Sequence, residues 1–248
     1  MSGDQHFTTA DGCRIAYRID GPVDRPVLML SNSIATNLHM WDRSVAALGR
    51  SFRLLRYDTR GHGGSDAPAG PYSMDRLGRD VVELLDFLDI DRAHFLGLSL
   101  GGFIGQWLGV FAPNRIDRLI LSNTAPYLAA ELHFDDQIHA VLAASDMDAI
   151  ADGFMRNWFP ATMLAAPNEI VDEFSNMVLT TSPRGLAGCF AALRDVDLRR
   201  VIALIAAPSA IQRDGGTDFS RITSAWARIS PPPTAVAMAT GTKPINSV

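Results

Sequence analysis

Apolar and polar positions follow one rhythm through the first half of this chain and another through the second. Residues 5–20 read as two short strands around Ala10-Asp11-Gly12, an Asp-Gly hairpin signal. Pro26 opens a continuous apolar run, Val27-Leu28-Met29-Leu30, as expected of a strand buried on both faces of a parallel sheet. Residues 52–57, 93–97 and 116–121 read as further strands. Between them, Leu77, Val81, Leu84, Leu85 and Leu88 recur at helical spacing behind Ser73, a residue suited to cap a helix N-terminus. A second helical stretch starts at Gly101 and is stopped by Pro113.

Strand and helix thus alternate as far as Ala125, which predicts an α/β fold: a mostly parallel sheet with helices on both faces. Beyond it the periodicities are helical, punctuated by Pro160, Pro167 and Pro183. Such an insertion between sheet strands reads as a helical lid over the carboxyl edge of the sheet. The chain is expected to divide into a first part of the core (1–125), a lid (126–200), and the remainder of the core with a divergent tail (201–248). Val201 to Ala206 is the candidate for the next strand, ended by Pro208. From Ser209 on, periodicity fades, and Pro231-Pro232-Pro233 rules out a central strand or a helix interior. The C-terminal strands are therefore expected to be missing or altered.

Apolar residues make up 47% of the 248 and charged ones 20%, enough for a sizeable core in one domain with an insertion. The net charge of −5, without any basic run, argues against nucleic acid as a partner. Only Cys13 and Cys189 are present, far apart, so no disulfide framework is expected. The first residues hold no basic stretch followed by an apolar one, and no apolar run reaches the ~18 residues of a membrane span. A cytoplasmic protein with no membrane attachment, no metal and no cofactor is expected, acting on a small molecule.

The chemistry concentrates at Gly97-Leu98-Ser99-Leu100-Gly101. Gly-x-Ser-x-Gly is short enough to arise by chance, but here it follows an apolar strand and opens a helix, the setting that a nucleophile elbow requires. The glycines remove Cβ atoms that would clash in so sharp a turn, and Ser99 stands at a helix N-terminus, where dipole and free N–H groups favour an oxyanion. The backbone N–H of Leu100 is one expected oxyanion donor. The bland alternative makes the glycines packing residues and Ser99 a helix cap.

The stretches Leu30-Ser31-Asn32-Ser33, Met40-Trp41, residues 56–65 (Arg-Tyr-Asp-Thr-Arg-Gly-His-Gly-Gly-Ser), Gly70-Pro71-Tyr72, residues 97–102 and Ser122-Asn123-Thr124-Ala125 together resemble the 3-oxoadipate enol-lactonases. These are α/β-hydrolases of protocatechuate and catechol breakdown, and the resemblance runs in order over residues 6–208. It implies an α/β-hydrolase fold and hydrolysis of a lactone or ester through an acyl-enzyme on Ser99. It also implies Ile34 N–H as the second oxyanion donor, in the loop after the Val27–Leu30 strand. Arg60 and His62 would shape the loop after the second parallel strand. Trp158-Phe159 matches the family's lid and makes Trp158 a substrate-lining candidate, with packing inside the lid as the alternative. Arg194, near the end of the lid, is a candidate for meeting a substrate carboxylate.

A serine needs a base to take its proton and a carboxylate to orient that base; in α/β-hydrolases the chain order is Ser, acid, His. The resemblance places the acid near residues 214–218, where Asp214 and Asp218 are the carboxylates. The histidines are His6, His39, His62, His94, His133 and His139, and none follows residue 139. The catalytic His is therefore not identified. Three explanations stay open: an altered or out-of-frame tail, a diverged protein that kept the pocket without catalysis, or a base supplied by His133 or His139. Losing a triad member leaves a residual ~10³–10⁴-fold acceleration over water. A general carboxylesterase, a haloperoxidase-like enzyme on the same scaffold, or a non-catalytic binding protein are the competing functions.

Overall fold

The protein is described by a computed structural model that covers the backbone of residues 4–128 and 131–212, and their side chains except those of 131–133 and 212. The Asp-Gly turn joins β1 (Gln5–Thr8) to β2 (Arg14–Asp20), which pair antiparallel with Gln5 opposite Tyr17 and Thr8 opposite Arg14. β3 (Val27–Ser31), β4 (Arg53–Tyr57), β5 (Ala93–Leu98) and β6 (Ile116–Ser122) lie where the apolar runs predict them.

Among the described residues one sheet of seven strands results, in the order β1-β2-β4-β3-β5-β6-β7, β7 being Ser209–Gln212. β2 runs antiparallel to β4, whereas β4, β3, β5, β6 and β7 are parallel throughout. Leu28, Met29, Leu30, Leu54, Phe95 and Leu96 are wholly buried at its centre, which is why those runs are unbroken by polar residues.

β3 reaches β4 through α1 (Asp42–Leu48); the chain then passes back over β3 through α2 (Met74–Phe87) to β5, and on through α3 (Leu100–Phe111) to β6. Right-handed crossovers put α1 on one face of the sheet and α2 and α3 on the other. The direction of travel reverses between β3 and β5. The carboxyl ends of these two strands are the usual ligand position in such sheets. Ser73 caps α2 as its type predicts, its hydroxyl accepting from the Arg76 N–H.

Five helices separate β6 from β7: α4 (Glu131–Ala143), α5 (Asp148–Trp158), α6 (Ala161–Leu164), α7 (Glu169–Leu179) and α8 (Pro183–Asp195). The prolines mark their starts: Pro160 precedes α6, Pro167 precedes the cap of α7, and Pro183 occupies the first turn of α8 behind Ser182. An aromatic row runs through the insertion, Phe134 to Phe190 to Phe154 to Trp158 to Phe174, with ring centres 4.7 to 6.4 Å apart. The two ends of the insertion meet where Tyr127 and Asp197 form an antiparallel bridge and the Leu198 N–H donates to the Pro126 carbonyl at 2.9 Å.

One strand departs from expectation. Val201 to Ala206 is not extended in the sheet; Ile202–Leu204 forms a 3-10 turn, and β7 begins only after Pro208. The apolar run serves α3 instead, with the Ile205 side chain set against Gly109. Pro208 offers its carbonyl to the Leu119 N–H, and pairing proper starts with Ser209 opposite Leu119. The first four residues of the segment expected to leave the sheet are thus part of it. Asp214, Asp218 and the rest of 213–248 lie outside the described residues. Among the described residues no helix is long and apolar enough to cross a membrane.

Candidate active site

β5 ends at Leu98 and α3 starts at Leu100, which leaves a single residue for the reversal. Ser99 makes it at φ 53° and ψ −113°, a conformation that side-chain-bearing residues rarely adopt. Bonds on both sides hold it there. Its N–H donates to the Ser122 carbonyl of β6 at 2.9 Å, and its carbonyl accepts from Gly102 N–H (2.8 Å) and Phe103 N–H (3.1 Å). A Cβ at Gly97 would overlap the Gly101 carbonyl and stand 2.6 Å from the Gly102 nitrogen; one at Gly101 would overlap the Ser31 carbonyl. Backbone presses on backbone at both positions, so neither can carry a side chain. Ser99 is half-buried at the head of a twelve-residue helix and makes no capping bond. The capping alternative does not describe it.

The loop leaving β3 docks on this turn. Asn32 carbonyl oxygen accepts from the Gly101 N–H at 3.0 Å. The Asn32 side chain is fixed in turn: its Nδ2 donates to the Tyr57 carbonyl (2.8 Å) and its Oδ1 accepts from the Trp41 indole (2.7 Å). Ser31 Oγ and Tyr57 OH are 2.8 Å apart beneath it. Leu100 opens its helix, so its N–H has no partner within the helix. Neither it nor the Ile34 N–H is engaged by an acceptor among the described residues.

A third segment, residues 58–65, packs against the same loop. Asp58 accepts from the Leu38 N–H (2.6 Å) and the Gly64 N–H (2.7 Å). Burial lifts its carboxyl to about 6, against the pull of these two amides. His62 Nε2 accepts from the Ala35 N–H at 2.9 Å, and its Nδ1 faces the Arg60 carbonyl at 3.3 Å. Burial pushes the imidazole down to about 4, so it is neutral near pH 7. Arg60 grips both oxygens of the buried Asp80 at 2.6 Å and reaches Asp11 of the β1–β2 turn. These contacts are the loop-shaping role expected of Arg60 and His62.

Trp158 lies half-buried between Phe154 and Phe174. The Arg194 guanidinium is committed to Asp195 and Asp135 at 2.6 to 3.0 Å, and these hydrogen bonds raise its pKa. His6 faces the Gly64 carbonyl, His39 pairs with Asp42, and His139 is exposed on α4. His94 stands near the start of β5, the far end of that strand from Ser99, against the Phe52 ring. The His133 side chain lies outside the described residues. Among those described, no imidazole is hydrogen-bonded to Ser99. What sequence reasoning missed is the set of residues holding the β3 loop: Asn32 entered it only as part of the Leu30–Ser33 stretch of the family resemblance, with no partner named, and nothing in the order of residues pairs Ala35 with His62.

A family signature described as alpha/beta hydrolase fold matches residues 26–181. The 3-oxoadipate enol-lactonase 2 of Acinetobacter baylyi is 37% identical over 200 residues, covering 81% of this chain and 74% of that protein. Among solved structures, a hydrolase from Pseudomonas aeruginosa is 48% identical with a TM-score of 0.84, over 90% of this chain and 86% of that one. The enol-lactonase of Burkholderia xenovorans is 36% identical with a TM-score of 0.80, over 84% and 80% of the two chains.

Proposed function

This chain belongs to the α/β-hydrolase fold family, with the 3-oxoadipate enol-lactonases among its relatives, and from that premise we propose that it hydrolyses a carboxylic ester or lactone, with 3-oxoadipate enol-lactone as its substrate. Ser99 Oγ adds to the lactone carbonyl, and the developing oxyanion is received by the N–H groups of Leu100 and Ile34. Collapse of the adduct breaks the ring C–O bond. The enol oxygen departs with the proton given up by Ser99 and tautomerises to the ketone, while the acyl group stays on Ser99. Water then cleaves that ester, releasing 3-oxoadipate and restoring the hydroxyl. A base must carry these protons and a carboxylate must orient it. Asp214 or Asp218 is the proposed carboxylate; no residue is assigned as the base.

The helical insertion 126–200 serves as the lid, and Trp158 with its aromatic neighbours is the proposed apolar wall of the pocket. The Arg194 guanidinium leaves no nitrogen for a substrate carboxylate, because Nε and Nη2 are paired with Asp195 and Nη1 with Asp135.

One observation carries the reading: Ser99 is held in the left-handed region with no capping bond, at a turn onto which the Asn32–Ile34 loop is docked. The test is a panel of enol-lactone, simple lactones and aryl esters, run beside fluorophosphonate labelling. Stoichiometric label on Ser99, and lactone hydrolysis abolished by Ser99→Ala, are expected. Turnover that survives Ser99→Ala overturns the mechanism. A labelled protein that cleaves aryl esters and ignores lactones overturns the substrate.

A further inference from the structure

We propose that His62 is a positioning residue for the oxyanion hole: its neutral imidazole fixes the peptide that follows Ile34 and so aims the Ile34 N–H. This rests on the assignment of Ser99 and Ile34 above.

The loop from Ser31 to Leu38 is held at both ends by elements already described. Asn32 is tied to Tyr57 and Trp41 at one end, and the Leu38 N–H is tied to Asp58 at the other. Between these anchors the chain makes an unfavourable bend, since Ala35 sits at φ 59° without being glycine. The bond from the Ala35 N–H to His62 Nε2, at 2.9 Å, stands against that strain, beside the bonds that the Thr36 N–H (3.4 Å) and Oγ1 (2.8 Å) donate to the Ser33 carbonyl across the same turn. Ala35 is 0% exposed and His62 1%, so water cannot replace the acceptor, and an unpaired buried N–H is strongly disfavoured.

The peptide plane joining Ile34 to Ala35 carries the Ala35 N–H. Fixing that N–H fixes the plane, and with it the backbone of the residue whose own N–H is the proposed donor. The amide can only donate, so Nε2 must present its lone pair and the proton must reside on Nδ1, toward the Arg60 carbonyl at 3.3 Å. The backbone just before His62 is braced by α8. Gly61 lies directly against Gly185 of α8, with no space for a Cβ on either, and Cys189 Sγ is 3.8 Å from the Arg60 carbonyl. The backbone of residues 60–61 that leads into His62 therefore cannot shift toward α8. Sequence alone offers no reason for an imidazole here beyond shaping its own loop.

Three measurements on the full chain test this. Long-range ¹H–¹⁵N spectra of the wild type should show His62 protonated at Nδ1 alone; a proton on Nε2 at pH 7 overturns the proposal without any variant being made. His62→Leu removes the acceptor and His62→Asn keeps one. Amide hydrogen exchange at Ala35 should accelerate in His62→Leu. Fluorophosphonate labelling of Ser99 should slow by about 10- to 100-fold in His62→Leu, with partial recovery in His62→Asn. For any turned-over ester, kcat should fall with KM little changed, a split that a general loosening of the fold does not produce. Wild-type labelling matched by a folded His62→Leu overturns this proposal alone. A wild type that takes no label overturns the reading of Ser99, and this proposal falls with it.

Discussion

The carbonyl oxygen of Asn32 accepts the Gly101 amide hydrogen at 3.0 Å, joining the loop that leaves β3 to the first turn of α3. This bond exists because Gly101 has no side chain: a Cβ there would stand 2.6 Å from the Ser31 carbonyl carbon and 2.8 Å from its Oγ. Two loops from strands β3 and β5 can thus approach at backbone distance exactly where the sheet's order of travel reverses.

Gly101→Ala should force them apart. About 1–3 kcal/mol of stability is expected to be lost, read from urea denaturation. Fluorophosphonate labelling of Ser99 should slow by roughly 100-fold, because a misplacement of about 1 Å near reacting groups has that effect. Unchanged labelling in a folded variant would separate the Asn32–Gly101 contact from the chemistry.

Arg60 is the buried hub of the loop between β4 and α2. Its partner Asp80 is 3% exposed and keeps only Arg76 when Arg60 is removed. Arg60→Met should therefore destabilise by about 3–5 kcal/mol, the usual consequence of stranding a buried charge. Adding Asp80→Leu should restore part of this, since no carboxylate is then left behind. Thermal or urea unfolding of the two variants decides it; a double variant less stable than the single one contradicts the stranded-charge account.

Asp58 and His62 should act on stability in opposite directions over the same acid range. The native carboxyl of Asp58, raised to about 6, holds a proton that the unfolded chain has released above 3.8, so its contribution is lost as pH rises through 4 to 6. The native imidazole of His62, lowered to about 4, lacks a proton that the unfolded chain binds below 6.5, so its contribution is lost as pH falls through 6.5 to 4. Each effect is ~3 kcal/mol. Relative to wild type, Asp58→Asn should lose stability more steeply on acidification, and His62→Asn less steeply. Urea midpoints between pH 4 and 7 measure both slopes, and parallel slopes would refute the assignment.

Gly185 and Gly61 touch backbone to backbone, a Cβ on Gly185 standing 2.7 Å from the Gly61 carbonyl carbon. Gly185→Ala should lift α8 from the loop it braces. Cys189 is fully buried and burial raises its thiol pKa; Cys13 is buried as well, its thiol pushed up to about 11. Native wild-type protein should therefore resist an aromatic disulfide reagent, whereas Gly185→Ala should release one reactive thiol, identified as Cys189 by mapping. Equal reactivity in both would show that α8 keeps its place.

The order of residues fixes local structure where local rules suffice. Ser73 ahead of Leu77 and Val81 specifies α2 with its cap, and Val27–Leu30 specifies a strand buried on both faces. Val201–Ile205 misleads because an apolar run says only that something must be buried. Packing on Gly109 of α3 and pairing in the sheet satisfy that demand equally, and only the neighbours choose between them.

Ser99 is the clearest case of both halves. Gly97, Ser99 and Gly101, set between an apolar strand and a helix, were enough by themselves to specify an elbow, because the turn is made within five residues. What faces the elbow was not. Asn32 lies 69 positions from Gly101 by subtraction, and His62 lies 27 from Ala35. Those partners are chosen by the parallel alignment of β3, β4 and β5, which brings their carboxyl ends together whatever the chain does between them. Hydrogen bonds over such separations follow from the sheet's register, and that register is a property of the folded chain as a whole.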